Sequence, residues 1–164
     1  MLTGAGCSTD CGIPDYRDAN GSWKRTPPVT LQAFMGALKA RLALTPRKEV
    51  FIFIHGFGNT FDDAVMTPAE LGHFLGREGV PLCYTWPAGV GLLGAYEYTI
   101  DSTQFTVYHL KQTLRLIASC PDVEKVNIIA HSRGTAVITE AVRELHLEIR
   151  GTADTQKTLK LGTT

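Results

Sequence analysis

The sequence predicts an α/β fold in which helices flank a parallel sheet, with an irregular segment at the N-terminus. Three short apolar runs, rich in β-branched and aromatic residues, alternate with stretches of helical periodicity. Continuous apolar runs are typical of strands buried on both faces, and their alternation with helices indicates right-handed crossovers. A chain of 164 residues is long enough for one such domain with a buried core.

The predicted strands are residues 50–54, 80–86 and 126–130. The first predicted helix begins near Thr67, because Thr67, Pro68 and Glu70 have the pattern of an N-cap, a proline at the first helical position and a capping-box glutamate.

Two more helices are predicted from apolar spacing. Asp101 or Ser102 caps the second, and the third runs from about Gly134 to Ile149. The residues expected to face the core are Val107, Leu110, Leu114 and Ile117 in the second helix, and Val137, Ile138, Ala141, Val142 and Leu145 in the third.

The composition divides the chain into three regions. Residues 1–36 are rich in Gly, Pro, Asp and Thr and lack periodicity, so they are not expected to form an independent domain. Residues 37–149 carry the alternating pattern of the core. Residues 150–164 are polar and are predicted to be a mobile tail.

Charge and cysteine content exclude several classes of function. The formal net charge is zero, so no basic field is available to hold nucleic acid. No apolar run approaches the length of a membrane helix, and the N-terminus lacks the pattern of a signal peptide. None of the four cysteines forms a Cys-x-x-Cys pair, so we expect no metal and a reducing, cytoplasmic location.

The strongest chemical motif is residues 130–134, Ala-His-Ser-Arg-Gly, which follow the third predicted strand and open a helix. This strand–turn–helix context is that of a nucleophile elbow, in which a sharp turn holds a serine hydroxyl above the sheet. Ala130 replaces the first glycine of the usual pattern. Ser132 is therefore the candidate nucleophile, and the Arg133 N–H would face a developing oxyanion at the start of the helix.

A second oxyanion donor is expected after the first strand. His55-Gly56-Phe57-Gly58 has the His-Gly turn typical of this position, and the Phe57 N–H is the candidate donor. Both segments follow the carboxyl ends of strands, where open α/β sheets bind their ligands.

The general base is not evident. The only histidine after Ser132 is His146, roughly 21 Å along the same predicted helix, and the only later aspartate is Asp154 in the polar tail. His55 and His109 remain upstream candidates, whereas the His131 side chain should diverge from Ser132 at the turn. Alternatively, a partner chain completes the site through open sheet edges, or no base exists and activity is weak.

The residues from about 40 to 162 resemble a bacterial family of uncharacterised α/β-hydrolases. The resemblance rests on residues 50–61 (Val-Phe-Ile-Phe-Ile-His-Gly-Phe-Gly-Asn-Thr-Phe), 84–87 (Tyr-Thr-Trp-Pro), 91–94 (Gly-Leu-Leu-Gly) and 129–134 (Ile-Ala-His-Ser-Arg-Gly). It implies a partial, C-terminally truncated α/β-hydrolase fold, and a serine hydrolase with Ser132 as nucleophile.

Residues 1–36 resemble the start of a sirtuin, an NAD-dependent protein deacylase. The matching stretches are residues 4–8 (Gly-Ala-Gly-Cys-Ser), 12–17 (Gly-Ile-Pro-Asp-Tyr-Arg) and 23–25 (Trp-Lys-Arg). The catalytic-histidine segment, the zinc-binding cysteine pairs and the rest of the dinucleotide fold are missing. We therefore expect no NAD cofactor, and interpret the chain as a fusion of two fragments that meet near residues 36–41.

Together these observations predict a carboxylesterase that acts on short-chain or activated esters through an acyl-enzyme on Ser132. Leu92, Leu93, Tyr96 and Tyr98 are candidates for an apolar acyl pocket. The expected partners are a small-molecule ester and further copies of the chain, with no nucleic acid or membrane. The alternatives are an inactive, oligomeric binding fragment and an NAD-binding remnant.

Overall fold

The computed structural model describes residues 30–88, 94–150 and 154–162, with only the backbone for 94–102. The sirtuin-like stretches at residues 4–25 and the proposed acyl-pocket side chains therefore lie outside the described residues. In chain order the elements are α1 (Leu31–Ala43), β1 (Glu49–Ile54), α2 (Phe61–Phe74), β2 (Val80–Tyr84), α3 (Gly94–Ala118), β3 (Lys125–Ala130), α4 (Arg133–Ile149) and α5 (Thr155–Thr158).

The three strands form a parallel sheet in the order β2-β1-β3, which confirms the predicted α/β class. Ile54, the last residue of β1, pairs with Tyr84 of β2 and with Ala130 of β3. The carboxyl ends of all three strands therefore lie at one edge of the sheet. The outer side of β3 carries a single parallel bridge from Val126 to Leu161.

The central strand is covered on both faces. The strand order reverses at β1, so right-handed crossovers place α2 on one face of the sheet and α3 on the other. All but one of the apolar residues predicted to face inward from α3 and α4 are buried or packed against the core, and Val50, Ile52 and Ile54 of β1 are fully buried with them. The exception is Val142, which is half-buried and lies outside this cluster.

Helices α3 and α4 run side by side in the same direction. Lys111 of α3 donates hydrogen bonds to Glu144 at 2.5 Å and to Glu148 at 2.6 Å, and Arg115, one turn further along, also pairs with Glu148. A residue of α3 therefore lies beside residues of α4 that are 33 to 37 positions later in the chain. The same offset gives the position of other α3 residues along the helix axis relative to Ser132.

Several predicted boundaries were wrong. Strand β2 ends at Tyr84 rather than Trp86, and α3 begins at Gly94, so Asp101 and Ser102 lie within the helix and do not cap it. Helix α2 begins at Phe61 and not after Thr67, because Thr60 and Asp63 form a complete capping box about two turns earlier.

Pro68 therefore lies inside α2, where it has no N–H to donate to the carbonyl of Ala64. The Cys83 thiol of β2 takes that place and donates to the Ala64 carbonyl at 2.7 Å. Burial raises the pKa of Cys83 to about 11, so the thiol keeps its proton. The neighbouring strand thus satisfies the carbonyl that the proline leaves, and the helix continues.

The two ends of the core region differ from their predicted boundaries. Helix α1 runs across the boundary expected at residues 36 and 37. Part of the segment expected to be a polar, mobile tail packs on the core: Leu159 is buried, and Lys160 donates to the carbonyls of Cys120 and Val123 at 2.7 Å each.

Candidate active site

Ser132 occupies a strained turn between β3 and α4. Its backbone has φ 52° and ψ −122°, a region that non-glycine residues rarely adopt, and its side chain is exposed. The Ser132 hydroxyl makes no capping hydrogen bond to α4, although serine is a favoured N-cap residue. The turn therefore presents the hydroxyl to solvent at the carboxyl edge of the sheet.

Two glycines allow the chain to pack closely around this turn. A Cβ atom at Gly134 would lie 2.5 Å from the Ile54 carbonyl oxygen and 2.6 Å from that of His55. A Cβ atom at Gly56 would lie 2.8 Å from the Ser132 Cβ and 3.0 Å from the His131 carbonyl oxygen. Distances below 3.0 Å exclude a methyl group without movement of the backbone, so these glycines bring α4 and the loop after β1 together at Ser132.

Both ring nitrogens of His55 lie within hydrogen-bond distance of backbone groups. Its Nδ1 lies 2.9 Å from the Gly56 carbonyl oxygen, and its Nε2 accepts the Trp86 backbone N–H at 3.1 Å. The Trp86 indole N–H donates to the His55 carbonyl at 2.8 Å, and the two rings stack with their centroids 5.8 Å apart. This pattern requires a neutral ring with the proton on Nδ1.

Burial lowers the pKa of His55, which agrees with a neutral ring. Because the single lone pair of that ring already accepts the Trp86 N–H, His55 has the surroundings of a structural residue and not those expected of a general base.

The backbone also places the two predicted oxyanion donors at the edge that carries Ser132. Arg133 is the first residue of α4, and Phe57 lies in the loop that follows β1, between Gly56 and a Gly58 with φ 74°. The His131 N–H donates to the Ile54 carbonyl at 3.0 Å, which ties the end of β3 to the start of this loop.

His109 lies on α3, far from Ser132. The offset between α3 and α4 places Ser132 level with residues near the start of α3, and His109 about ten or more residues further on, on the order of 15 Å along the helix axis. The His109 ring instead contacts Phe105 and Tyr108, with centroids 4.3 Å and 5.2 Å away. This placement gives no support to His109 as the base.

His146 in α4 and His131 in the turn before it lie at different distances from Ser132. His146 lies in the last turn of α4, where its Nδ1 is 2.9 Å from the Thr155 hydroxyl. The His131 Nδ1 lies 3.1 Å from the point where a Gly56 Cβ would stand, the same point that Ser132 Cβ approaches. The His131 Nδ1 therefore lies within about 6 Å of Ser132 Cβ, and the expected divergence of the two side chains stays a prediction.

Sequence reasoning missed Trp86 as a part of this site. Its signs in the sequence are its place at the end of an apolar run, where it was assigned to the strand, and its place in residues 84–87, which carry part of the family resemblance. The contact with His55 joins residues 31 positions apart and depends on the pairing of β2 with β1.

A parallel sheet with a strained, exposed serine between a strand and a helix defines a domain of the α/β-hydrolase type. The family described as alpha/beta hydrolases of unknown function (DUF900) matches residues 31–161, and the chain belongs to this family. No solved structure matches the chain significantly.

The chain is also similar to curated NAD-dependent protein deacetylases, but it spans less than a fifth of their length. The chain is 73% identical over 41 residues to an NAD-dependent protein deacetylase of Xanthomonas axonopodis pv. citri, and 60% identical over 50 residues to one of Bordetella pertussis. These matches cover 25% and 30% of this chain but only 14% and 18% of the relatives. The chain thus combines a family α/β-hydrolase region with a sirtuin-like fragment.

Among the residues that the structure describes, no helix is long and apolar enough to cross a membrane. That same part of the chain contains no group of three or more His, Cys, Asp or Glu side chains arranged to hold a metal ion.

Proposed function

We propose that this chain is a serine hydrolase that acts as a carboxylesterase on short-chain or activated esters. The observation that carries the proposal is the conformation of Ser132, whose backbone strain at φ 52° exposes a hydroxyl that does not cap its helix. A strained turn of this kind costs on the order of 1–3 kcal/mol, which a purely structural serine would not require.

In the proposed reaction the Ser132 Oγ attacks the ester carbonyl carbon, and the Phe57 and Arg133 N–H groups receive the negative charge that forms on the carbonyl oxygen. The bond from the carbonyl carbon to the alkoxy oxygen breaks, and the alcohol leaves with a proton. Water then attacks the acyl-enzyme, releases the carboxylic acid and restores the serine.

We assign His55 to positioning and not to proton transfer. Its bonds to the Gly56 carbonyl and to Trp86 hold the loop that carries Phe57. Without an assigned base, the reaction depends on oxyanion stabilisation and substrate binding, which alone can retain about a thousandfold enhancement over water. Activated aryl esters are therefore the preferred substrates, because their leaving groups need little help from an acid.

Hydrolysis of p-nitrophenyl acetate by the purified chain tests the proposal. Ser132→Ala should reduce turnover to the rate of the buffer, whereas Ser119→Ala, which removes an exposed serine at the end of α3, should leave it unchanged. Equal turnover in the wild type and in Ser132→Ala would refute the assignment.

A fluorophosphonate probe separates an active hydrolase from an inactive fragment that associates through sheet edges. An activated Ser132 should be labelled rapidly, and the label should disappear in Ser132→Ala.

Two features of the sheet disfavour edge association: Leu161 bridges the outer side of β3, and Pro81 interrupts the hydrogen-bonding groups of β2.

The same assay tests whether His131 contributes. If its ring takes the proton from Ser132, His131→Asn should lower turnover of p-nitrophenyl acetate. If oxyanion stabilisation alone carries the reaction, turnover by His131→Asn should match that of the wild type.

A further inference from the structure

A groove separate from the Ser132 site lies between α1 and α2, along the first half of β2. It has a volume of about 640 Å³, within the range of small-molecule sites. Gly79 to Leu82 form its floor, and Leu82 pairs with Ile52 in the middle of the sheet. Ser132 follows the far end of β3, on the other side of β1, so the groove is a second site.

The body of the groove is apolar. Phe34 and Leu38 of α1 face Val80 and Leu82 of β2 across it, and Leu44 lines its end. Leu44 is 79% exposed, so its apolar side chain is open to solvent. An apolar ligand in the groove would remove this surface from water.

The charge of the groove has one sign. Arg41 of α1 and Arg77 after α2 line it, and none of the described lining residues is acidic. The Arg77 guanidinium lies 3.1 Å from Nδ1 of His73, which also lines the groove. The backbone N–H of Arg77 donates to the Gly72 carbonyl at 2.9 Å. Glu78, the acidic residue next to Arg77, is paired with Arg47 at 2.9 Å, so its carboxylate is already matched.

An added β-strand is a poor occupant for this groove. Pro81 lies in the floor and has no N–H to offer to a neighbouring strand, and proline is a typical residue of strand edges that stay unpaired. The groove therefore suits a ligand that uses apolar contacts and charge, not backbone hydrogen bonds.

We propose that the α1–α2 groove binds a single-chain amphipathic carboxylate, with its hydrocarbon chain between α1 and β2 and its carboxylate between Arg41 and Arg77. A guanidinium is suited to bind a carboxylate through two parallel hydrogen bonds. The lining of α1 from Phe34 to Leu44 extends about 15 Å, which accommodates a chain of medium length.

Isothermal titration of the full chain with decanoate, below its micelle concentration, tests the proposal. Decanoate should bind with a stoichiometry of one, and decanol, which lacks the charge, should bind about tenfold more weakly. Arg41→Gln should also weaken decanoate about tenfold, whereas Lys39→Gln, on the same helix but outside the groove, should have no effect.

A steric variant makes the test independent of charge. Ala37 is exposed and lines the groove, so Ala37→Trp should fill it and abolish binding, while Ala40→Trp, an exposed position outside the lining, should not. Absence of binding at millimolar decanoate, equal affinities for decanoate and decanol, or unchanged binding in Ala37→Trp would overturn the proposal. Because Ser132→Ala should bind decanoate normally, failure here is distinguishable from failure of the esterase proposal.

Discussion

Two strand-to-helix turns lie side by side at the carboxyl edge of the sheet, and they are built in opposite ways. The turn from β1 to α2 takes six residues and ends in a capping box, in which Thr60 has φ −73° and exchanges hydrogen bonds with Asp63. The turn from β3 to α4 takes two residues, and Ser132 has φ 52° and no cap hydrogen bond.

The difference separates a turn that stabilises the fold from one that holds a functional group. Thr60 and Ser132 are both good N-cap residues, but only Thr60 caps its helix. At Ser132, where β1 and α4 approach closely, the backbone has a positive φ and the hydroxyl makes no cap hydrogen bond to the helix. Stability is lost locally there, as is common where backbone strain serves a site.

The largest effect should come from closing the space that makes the tight turn possible. Gly134→Ala should lower the free energy of unfolding by about 2–3 kcal/mol, because its methyl group would meet two backbone carbonyls of β1 that cannot move independently. Urea denaturation measures the change. The control Gly36→Ala, in α1 with nothing within 4 Å, should instead raise stability by about 0.5–1 kcal/mol. Similar effects of the two variants would contradict the close approach.

Relief of strain at Ser132 should stabilise the fold and remove activity. Ser132→Gly should raise the free energy of unfolding by about 1–2 kcal/mol, because glycine adopts φ 52° without steric cost. The same variant should not hydrolyse p-nitrophenyl acetate. A loss of stability in Ser132→Gly would show that the turn is unstrained and that the comparison is mistaken.

The two caps should respond differently to alanine. Thr60→Ala should lower the free energy of unfolding by about 1 kcal/mol through loss of the capping box. Ser132→Ala should leave stability within about 0.5 kcal/mol of the wild type, since no cap hydrogen bond is lost. Thermal denaturation of both variants gives the comparison directly, and an equal loss would mean that Ser132 caps α4 in solution.

The smallest effect is a change in how stability depends on pH. The folded protein holds the pKa of His55 below its unfolded value of about 6.5, so the unfolded chain binds the proton more readily. Stability should therefore be complete above about pH 7 and decrease as pH falls through the unfolded pKa toward the lower folded one.

His55→Gln should flatten this dependence in urea denaturations between about pH 8 and about pH 5, whereas His109→Gln should retain it. A dependence that survives in His55→Gln would place the titrating group elsewhere and weaken the view of His55 as a locked, neutral residue.

Much of the fold could be predicted from local pattern. The buried strands, the parallel sheet and the third helix follow from apolar runs and from the spacing of apolar residues. Residues 130–134 by themselves indicate a nucleophile elbow. Prediction failed where a distant residue changes the local rule. Pro68 marks a helix start by itself, but within the fold the Cys83 thiol supplies the missing donor and α2 continues through it.

The surroundings of the two candidate bases also depend on distant parts of the chain. His55 follows a strand next to that of the serine, so sequence reasoning placed it near the nucleophile, and the strand order agrees. What the sequence could not indicate is that the backbone N–H of Trp86, two residues beyond the end of β2, donates to the lone pair of the ring. The distance of His109 from Ser132 depends on where α3 begins, and α3 begins earlier than its apolar spacing suggests.

By itself, the sequence determined which segments are strands and helices and which serine follows a strand at the point where a helix begins, because hydrophobic periodicity and small residues act over a few positions. The tertiary structure decided whether that serine caps its helix or is exposed, and whether a histidine acts on a substrate or supports a loop. Those outcomes depend on distances between backbones of different strands, set at Gly56, Gly134 and Trp86, and such distances exist only after the sheet has formed.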